Sequence, residues 1–147
     1  MAKLTTSIEI EAPPEKVFNF LRDMKHWNDA SKGTAEVEVT SEGPIGVGTR
    51  MHFVGAAGGT QAEFDMEVTE FVTNKKIAFR TIGGSKVKMT ASYTYGPTAK
   101  GTKMTYDMDY ELPYSILGKL LDKVKVSKDM LKNQNTTLEN IKKAIEA

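Results

Sequence analysis

His26 and His52 are the only imidazoles in the chain, and cysteine is absent. Thiolate catalysis, disulfides and cysteine-ligated metals are therefore excluded. A zinc centre needs three or four ligands from His, Cys and carboxylate, and the two histidines do not share a helical metal motif. No metal is expected. A serine nucleophile would need a histidine as base, and neither histidine stands in a context that suggests one. His52 alternates onto the strand face of Arg50, away from Met51 and Phe53, which predicts exposure. His26 lies beside the only tryptophan in "KHWNDASKG" (25–33), and helical geometry turns it away from Trp27 into solvent. Gly46-Val47-Gly48 lacks the third glycine and following helix of a dinucleotide fingerprint, so a turn is predicted there.

The remaining chemistry is aromatic, phenolic and thioether. Strand alternation directs Met51, Met66, Met89, Met104 and Met108 to one side, together with Tyr93, Tyr106 and Tyr110. Thioethers are flexible and polarizable, suiting either a core or a wall that accepts differently shaped apolar partners. A buried phenol needs a hydrogen-bond partner, and Gln134 and Asn135 in the C-terminal segment are candidates. Acid–base catalysis would need a tuned titratable group on that face. Alternation places no Asp, Glu, Lys or His on the inner face of the central strands. That leaves Tyr93, Tyr106 and, if a bulge turns it inward, Arg50.

The elements that must position these residues follow from periodicity. Residues 4–10 alternate as a strand, and Pro13-Pro14 then marks a helix start, with Val17, Phe18, Leu21 and Met24 on one face. Trp27 continues that face by one turn, or the chain forms a short second helix before Gly33. From 34 to 112 the period is two, giving six strands separated by Gly43-Pro44, Gly58-Gly59, Asn74, Gly83-Gly84 and Gly96-Pro97. Links this short favour an antiparallel meander. Glu63, Asp65 and Glu67, then Lys76 and Arg80, then Lys86 and Lys88, then Asp107, Asp109 and Glu111 fall on the opposite, wet face. After Pro113 a long helix is predicted over 114–146. Its stripe is Leu117, Leu120, Leu121, Val124, Leu131, Leu138, Ile141 and Ile145, interrupted at Ser127, Gln134 and Asn135.

Composition narrows the class. The 147 residues, free of internal repeats or linkers, read as one domain spanning 1–147. A net charge of +1 argues against a dedicated nucleic-acid binder. There is no transmembrane run of eighteen apolar residues and no leader before Thr5, so a soluble, cytoplasmic protein is expected. The C-terminal helix is rich in lysine. Its apolar stripe is already needed by the sheet, so a solvated basic face is expected, with transient membrane contact left open.

The order strand, helix pair, six-stranded meander and long helix describes an α+β chain and resembles the helix-grip fold. "IEIEAPPEKVFNFLRDMKHW" (8–27) resembles the opening of the polyketide cyclase/dehydrase and lipid-transport branch of the START-like (SRPBCC) superfamily. "GPIGVGTRM", "EVTEFVTNKKIAFRTIGG" and "TAKGTKMTYDMDYELP" resemble its successive strands, and "LLDKVKVSKDMLKNQNTTLENIKKAIE" its final helix. The resemblance implies a curved antiparallel sheet (β-α-α-β6-α) wrapped around the last helix, with an apolar cavity between them. It implies binding of a hydrophobic small molecule: a lipid, a quinone or an aromatic polyketide. No cofactor is expected. The sheet wall would comprise Phe53, Phe64, Met66, Phe79, Met89, Tyr93, Met104, Tyr106 and Met108, and the helix wall Leu121, Leu131 and Asn135. Trp27 would pack near one end. Two other functions stay open: a cyclase- or dehydratase-type enzyme, and a protein-interaction module such as a chaperone- or ribosome-associated factor.

Overall fold

The computed structural model describes the backbone of residues 2–57, 60–84, 87–111 and 123–147, and the side chains of 3–55, 61–84, 87–111 and 127–147. Its elements run β1 (Ala2–Ile10), α1 (Pro14–Arg22), α2 (Met24–Ala30), β2 (Ala35–Val39), β3 (Arg50–Ala57) and β4 (Thr60–Val72). They continue as β5 (Lys76–Thr81), β6 (Lys88–Pro97), β7 (Thr102–Glu111) and α3 (Lys123–Glu146). Seven strands make one curled antiparallel sheet in the order β1-β7-β6-β5-β4-β3-β2. This is the helix-grip architecture. β2 to β7 form the meander that the short links require, and β1 closes on β7 from Ala2↔Tyr110 to Ile10↔Thr102 without a slip. A shift of register between Val68 and Glu70 breaks the β4–β5 ladder, and such bulges increase local bend and twist.

The helix pair departs from a continuous helix at Asp23. This residue is extended (φ −86°, ψ 109°), ends α1, and accepts the Lys25 N–H at 3.0 Å as the cap of α2. Trp27 therefore sits on a second helix rather than one turn further along the first. α1 begins at Pro14 after an extended Pro13, and buries Val17, Phe18 and Leu21. Phe18 packs edge-on against Phe71 and Tyr95, with ring centroids 5.3 and 5.5 Å away. α2 guards the sheet edge. The Asn28 amide donates to the Val37 carbonyl and accepts the Val37 N–H, both at 2.8 Å, occupying the backbone groups that β2 would otherwise leave open.

α3 lies across the sheet in contact with β1, α2 and β3. Leu138, Ile141 and Ile145 are buried, as the stripe requires. Leu117, Leu120, Leu121 and Val124 lie outside the described side chains. The C-terminal end is pinned to β1: Lys142 donates to the Glu9 carbonyl at 2.9 Å, and the Glu146 carboxylate accepts the Glu11 N–H at 2.9 Å. Among the described residues, no helix is long and apolar enough to cross a membrane.

One turn sets where the helix pair starts. Thr102 is fully buried and donates to the Ala12 carbonyl at 2.7 Å, holding the β1–α1 link against the β6–β7 turn. The neighbouring Gly101 has φ 155° and no room for a side chain, because a Cβ would stand 2.4 Å from the Ile10 carbonyl oxygen and 2.6 Å from the Ala12 nitrogen. Both obstacles are backbone and cannot rotate away. Gly101→Ala should therefore destabilise the protein by about 2–3 kcal/mol in a urea melt; a change below about 0.5 kcal/mol would mean that the turn does not hold the link.

Candidate ligand-binding cavity

Between the sheet's inner face and the helices lies a cavity of about 180 Å³. Alternation on the strands brings its sheet wall together. Phe53 pairs with Phe64, Met51 with Met66, Ala91 with Met108 and Tyr93 with Tyr106. The rings converge: Phe53 stacks on Phe64 at 4.8 Å, Tyr93 lies tilted 4.7 Å from Tyr106, and Trp27 lies tilted 6.5 Å from Phe53. Gly55 makes room for this. A Cβ there would stand 2.6 Å from the Phe53 ring.

Nine residues named from sequence line this space: Trp27, Phe53, Phe64, Met66, Phe79, Met89, Tyr93, Tyr106 and Met108. Met104 shares their strand face but not the cavity. It is wholly buried, with Ile8 and Tyr95 as cross-strand neighbours, where the core is solid. On α3 the described lining residues are Met130, Asn133, Gln134 and Thr137, spaced i, i+3, i+4, i+7 along one helical face. Leu131 and Asn135 each follow one of these by a single residue, which rotates them about 100° around the axis. Leu131 is half-buried in the surrounding core, and Asn135 is exposed and accepts from the Thr6 hydroxyl outside. Leu121 lies outside the described side chains. The leucines thus mark a different phase of the helix from the one that meets the cavity. Tyr95 also lines the space without having been named from sequence, although it continues the alternation of Met89, Ala91 and Tyr93.

The wall is apolar except for its phenols, two α3 amides, a few hydroxyls and one charge. The Tyr93 oxygen accepts the Trp27 indole N–H at 3.2 Å and a Gln134 amide N–H at 2.9 Å. Among the described residues the Tyr106 hydroxyl donates to the Met108 sulfur alone, at 3.2 Å, a weak acceptor. Tyr110 shares a 2.6 Å hydrogen bond with Ser127. Tyr95 is buried, and its hydroxyl makes no hydrogen bond among the described residues. Burial pushes the Tyr93, Tyr95 and Tyr106 phenols above their ordinary range, and for Tyr93 the two donated hydrogen bonds pull the other way. All three stay protonated at neutral pH. Among the described lining residues Arg22, an exposed residue at the end of α1, is the only charged group. Arg50 is exposed and does not turn inward.

The histidines stand apart from this space. His26 is not solvated as expected. It is half-buried, stacks on Phe20 with centroids 4.0 Å apart, and donates from Nδ1 to the Phe20 carbonyl at 2.7 Å. His52 lies on the wet face, with Nδ1 2.7 Å from Asp65 and Nε2 2.7 Å from Glu63. Among the described residues no group of three or more His, Cys, Asp or Glu is arranged to hold a metal ion.

The whole chain, residues 1–146, matches the family described as polyketide cyclase/dehydrase and lipid transport. An uncharacterised 17.2 kDa protein from the melC2–rnhH intergenic region of Streptomyces lincolnensis is 27% identical over 146 residues, covering 99% of this chain and 91% of its own. The crystal structure of TTHA0849 from Thermus thermophilus superposes with a TM-score of 0.82 at 24% identity, covering 98% of this chain and 97% of that one. The Zhui aromatase/cyclase from Streptomyces sp. R1128 superposes with a TM-score of 0.74 at 16% identity, covering 99% and 93%. At these identities the two superpositions speak for the fold.

Hydrogen bonds to Asp65 and then Glu63 raise the His52 pKa above the ordinary 6.5. A raised folded-state value means that the clamp stabilises the fold fully below pH 6.5 and loses this contribution as pH climbs through the raised value. In an NMR titration the His52 ring should show a midpoint above 6.5, and Asp65→Asn should lower it. A midpoint at or below 6.5 would show that the two carboxylates do not hold the ring.

Proposed function

We propose, on the premise that this chain belongs to the polyketide cyclase/dehydrase and lipid transport family, that it binds a small hydrophobic molecule in the cavity under the curled sheet. The observation that carries this reading is an apolar space enclosed by aromatic and thioether side chains with a few polar groups among them. That is the usual make-up of a small-molecule site. Burial of the ligand's apolar surface supplies affinity at roughly 25 cal/mol per Å², and the few polar groups supply orientation.

Size limits the occupant. An apolar cavity of about 150 Å³ takes up benzene, so about 180 Å³ suits one ring or a compact fused pair. Six methionines (Met24, Met51, Met66, Met89, Met108 and Met130) line the space, and unbranched thioethers yield more readily than branched side chains. Trp27, Phe53, Phe64, Phe79, Tyr93 and Tyr106 would form the aromatic part of the wall.

A cyclase-type reaction is the second reading, favoured by the family and by the aromatase/cyclase that shares the fold. Such chemistry abstracts a proton somewhere, and a base must be unprotonated to do so. The cavity phenols remain protonated at neutral pH, and the described lining residues include no carboxylate or imidazole. Binding therefore fits the described wall better.

Titration with tetralin, a compact bicyclic hydrocarbon, tests the reading. The methyl resonances of Met51, Met66, Met89 and Met108 should shift saturably together with Trp27 emission. Met104, in solid core, serves as the internal control. Met89→Asp should abolish binding, since an unpaired carboxylate in an apolar wall costs several kcal/mol, whereas Met89→Leu should keep the fold within about 1 kcal/mol. Uniform or absent methyl shifts at saturating tetralin would defeat the proposal.

A further inference from the structure

Two phenols of the cavity carry a proton with no acceptor among the described residues. Trp27 and Gln134 both direct N–H groups at the Tyr93 oxygen, so both of its lone pairs are engaged and its own proton has no acceptor among the described residues. Turning the Gln134 amide over would give that proton an acceptor at the expense of the NH₂ group's own bond to Tyr93. Tyr95 is the second phenol. It is only 4% exposed, lines the same cavity two residues along β6, and donates to nothing among the described residues. Tyr106 donates to a thioether alone among them. Among the described residues the fully buried side-chain polar atom without a partner is Asn74 Oδ1, so the unbonded Tyr95 hydroxyl keeps access to open space, and an O–H facing a cavity is satisfied by whatever enters it.

Resting on the cavity-binding reading above, we infer that Tyr93 and Tyr95 form a hydrogen-bond-donating subsite that selects a one- or two-ring ligand carrying a neutral acceptor oxygen, such as an aryl ketone or a quinone, over the hydrocarbon of the same shape. The acceptor is neutral because the only described cationic lining group is Arg22, which is exposed. A carboxylate carried to the phenols would therefore be buried away from a counter-charge. The subsite is a specificity device. It adds no chemistry and places the oxygen-bearing edge of the ligand against β6.

The two phenols differ in a way that separates binding from folding. Removing the Tyr93 oxygen strips the acceptor from Trp27 and Gln134, so Tyr93→Phe should lower stability. Tyr95→Phe removes a hydroxyl that bonds to nothing described, so the ligand-free fold should be as stable as the wild type or more so. The test compares 1-tetralone with tetralin, which differ by one carbonyl, in the wild type, Tyr93→Phe and Tyr95→Phe, using Met methyl NMR and Trp27 emission. The wild-type ratio of tetralone to tetralin affinity should fall about tenfold in at least one variant, because the carbonyl is then buried without a donor. A ratio that stays within about threefold of the wild type in both variants overturns the subsite while leaving the cavity reading intact. Failure of the wild type to bind either compound overturns both.

Discussion

Three elements meet on one oxygen. The Tyr93 phenol projects from β6, takes the Trp27 indole proton from α2 and a Gln134 amide proton from α3, and so ties both helices to the middle of the sheet. The helices also rest on close packing: Ile10, Val17, Phe18, Met104, Leu138 and Ile141 are almost wholly buried, and none of them lines the cavity. Where the curl of the sheet outruns what the helices can fill, a polar junction replaces packing. A purely apolar contact at that place would invite the helices to settle inward and close the gap. Directional bonds of fixed length set where α2 and α3 meet β6 along the cavity wall.

The same division governs charge. His52 and Phe53 are adjacent in β3, as are Glu63 and Phe64 in β4, yet one of each pair faces water and the other the cavity. Strand alternation alone separates an ion cluster of His52, Glu63 and Asp65 from a stacked pair of phenylalanines. A slip by one residue would exchange the two faces, so register is tightly specified. Both edges of the sheet are also occupied: Asn28 holds the backbone of Val37 on β2, and Lys142 and Glu146 bind β1 and the link that follows it. With the edges closed and the register fixed, the inner wall is presented in one arrangement.

The architecture was legible in the sequence because its two periods are physically unlike. Strict alternation from 34 to 112 and a helical stripe after Pro113 admit few topologies once the short glycine and proline links are counted. The sheet wall was legible for the same reason, since alternation decides a strand residue's side without reference to anything distant. The helix wall was not. On α3 the leucine stripe marks the packed face, and the cavity is served by the neighbouring face of Met130, Asn133, Gln134 and Thr137. Asn135 and Gln134 are equally polar interruptions of that stripe, and one helical step of rotation separates outside from inside. Met104 shows the complementary limit. Its pattern equals that of Met108, and only the filling of the space around Phe18 and Tyr95 decides that one is core and the other wall. Nor does pattern show that Asp23 breaks the first helix, because the residues on either side keep helical spacing across the break.

An unfilled space inside a small protein weakens it. The side chains that line it forgo contacts that a packed core would give them, and this counts against stability. The unpartnered hydroxyl of Tyr95 adds to the same side of the balance. Both deficits could be removed by small changes: a larger residue at Ala62, which lines the cavity, or phenylalanine at position 95. Neither change needs a new backbone. A fold that carries both leaves at the cavity wall contacts and a hydrogen bond that a different set of side chains would complete. Under the proposed reading, filling the space and giving the phenols an acceptor would relieve both deficits at once, so affinity for a compact, oxygen-bearing aromatic molecule and the looser packing at the wall would share one physical origin.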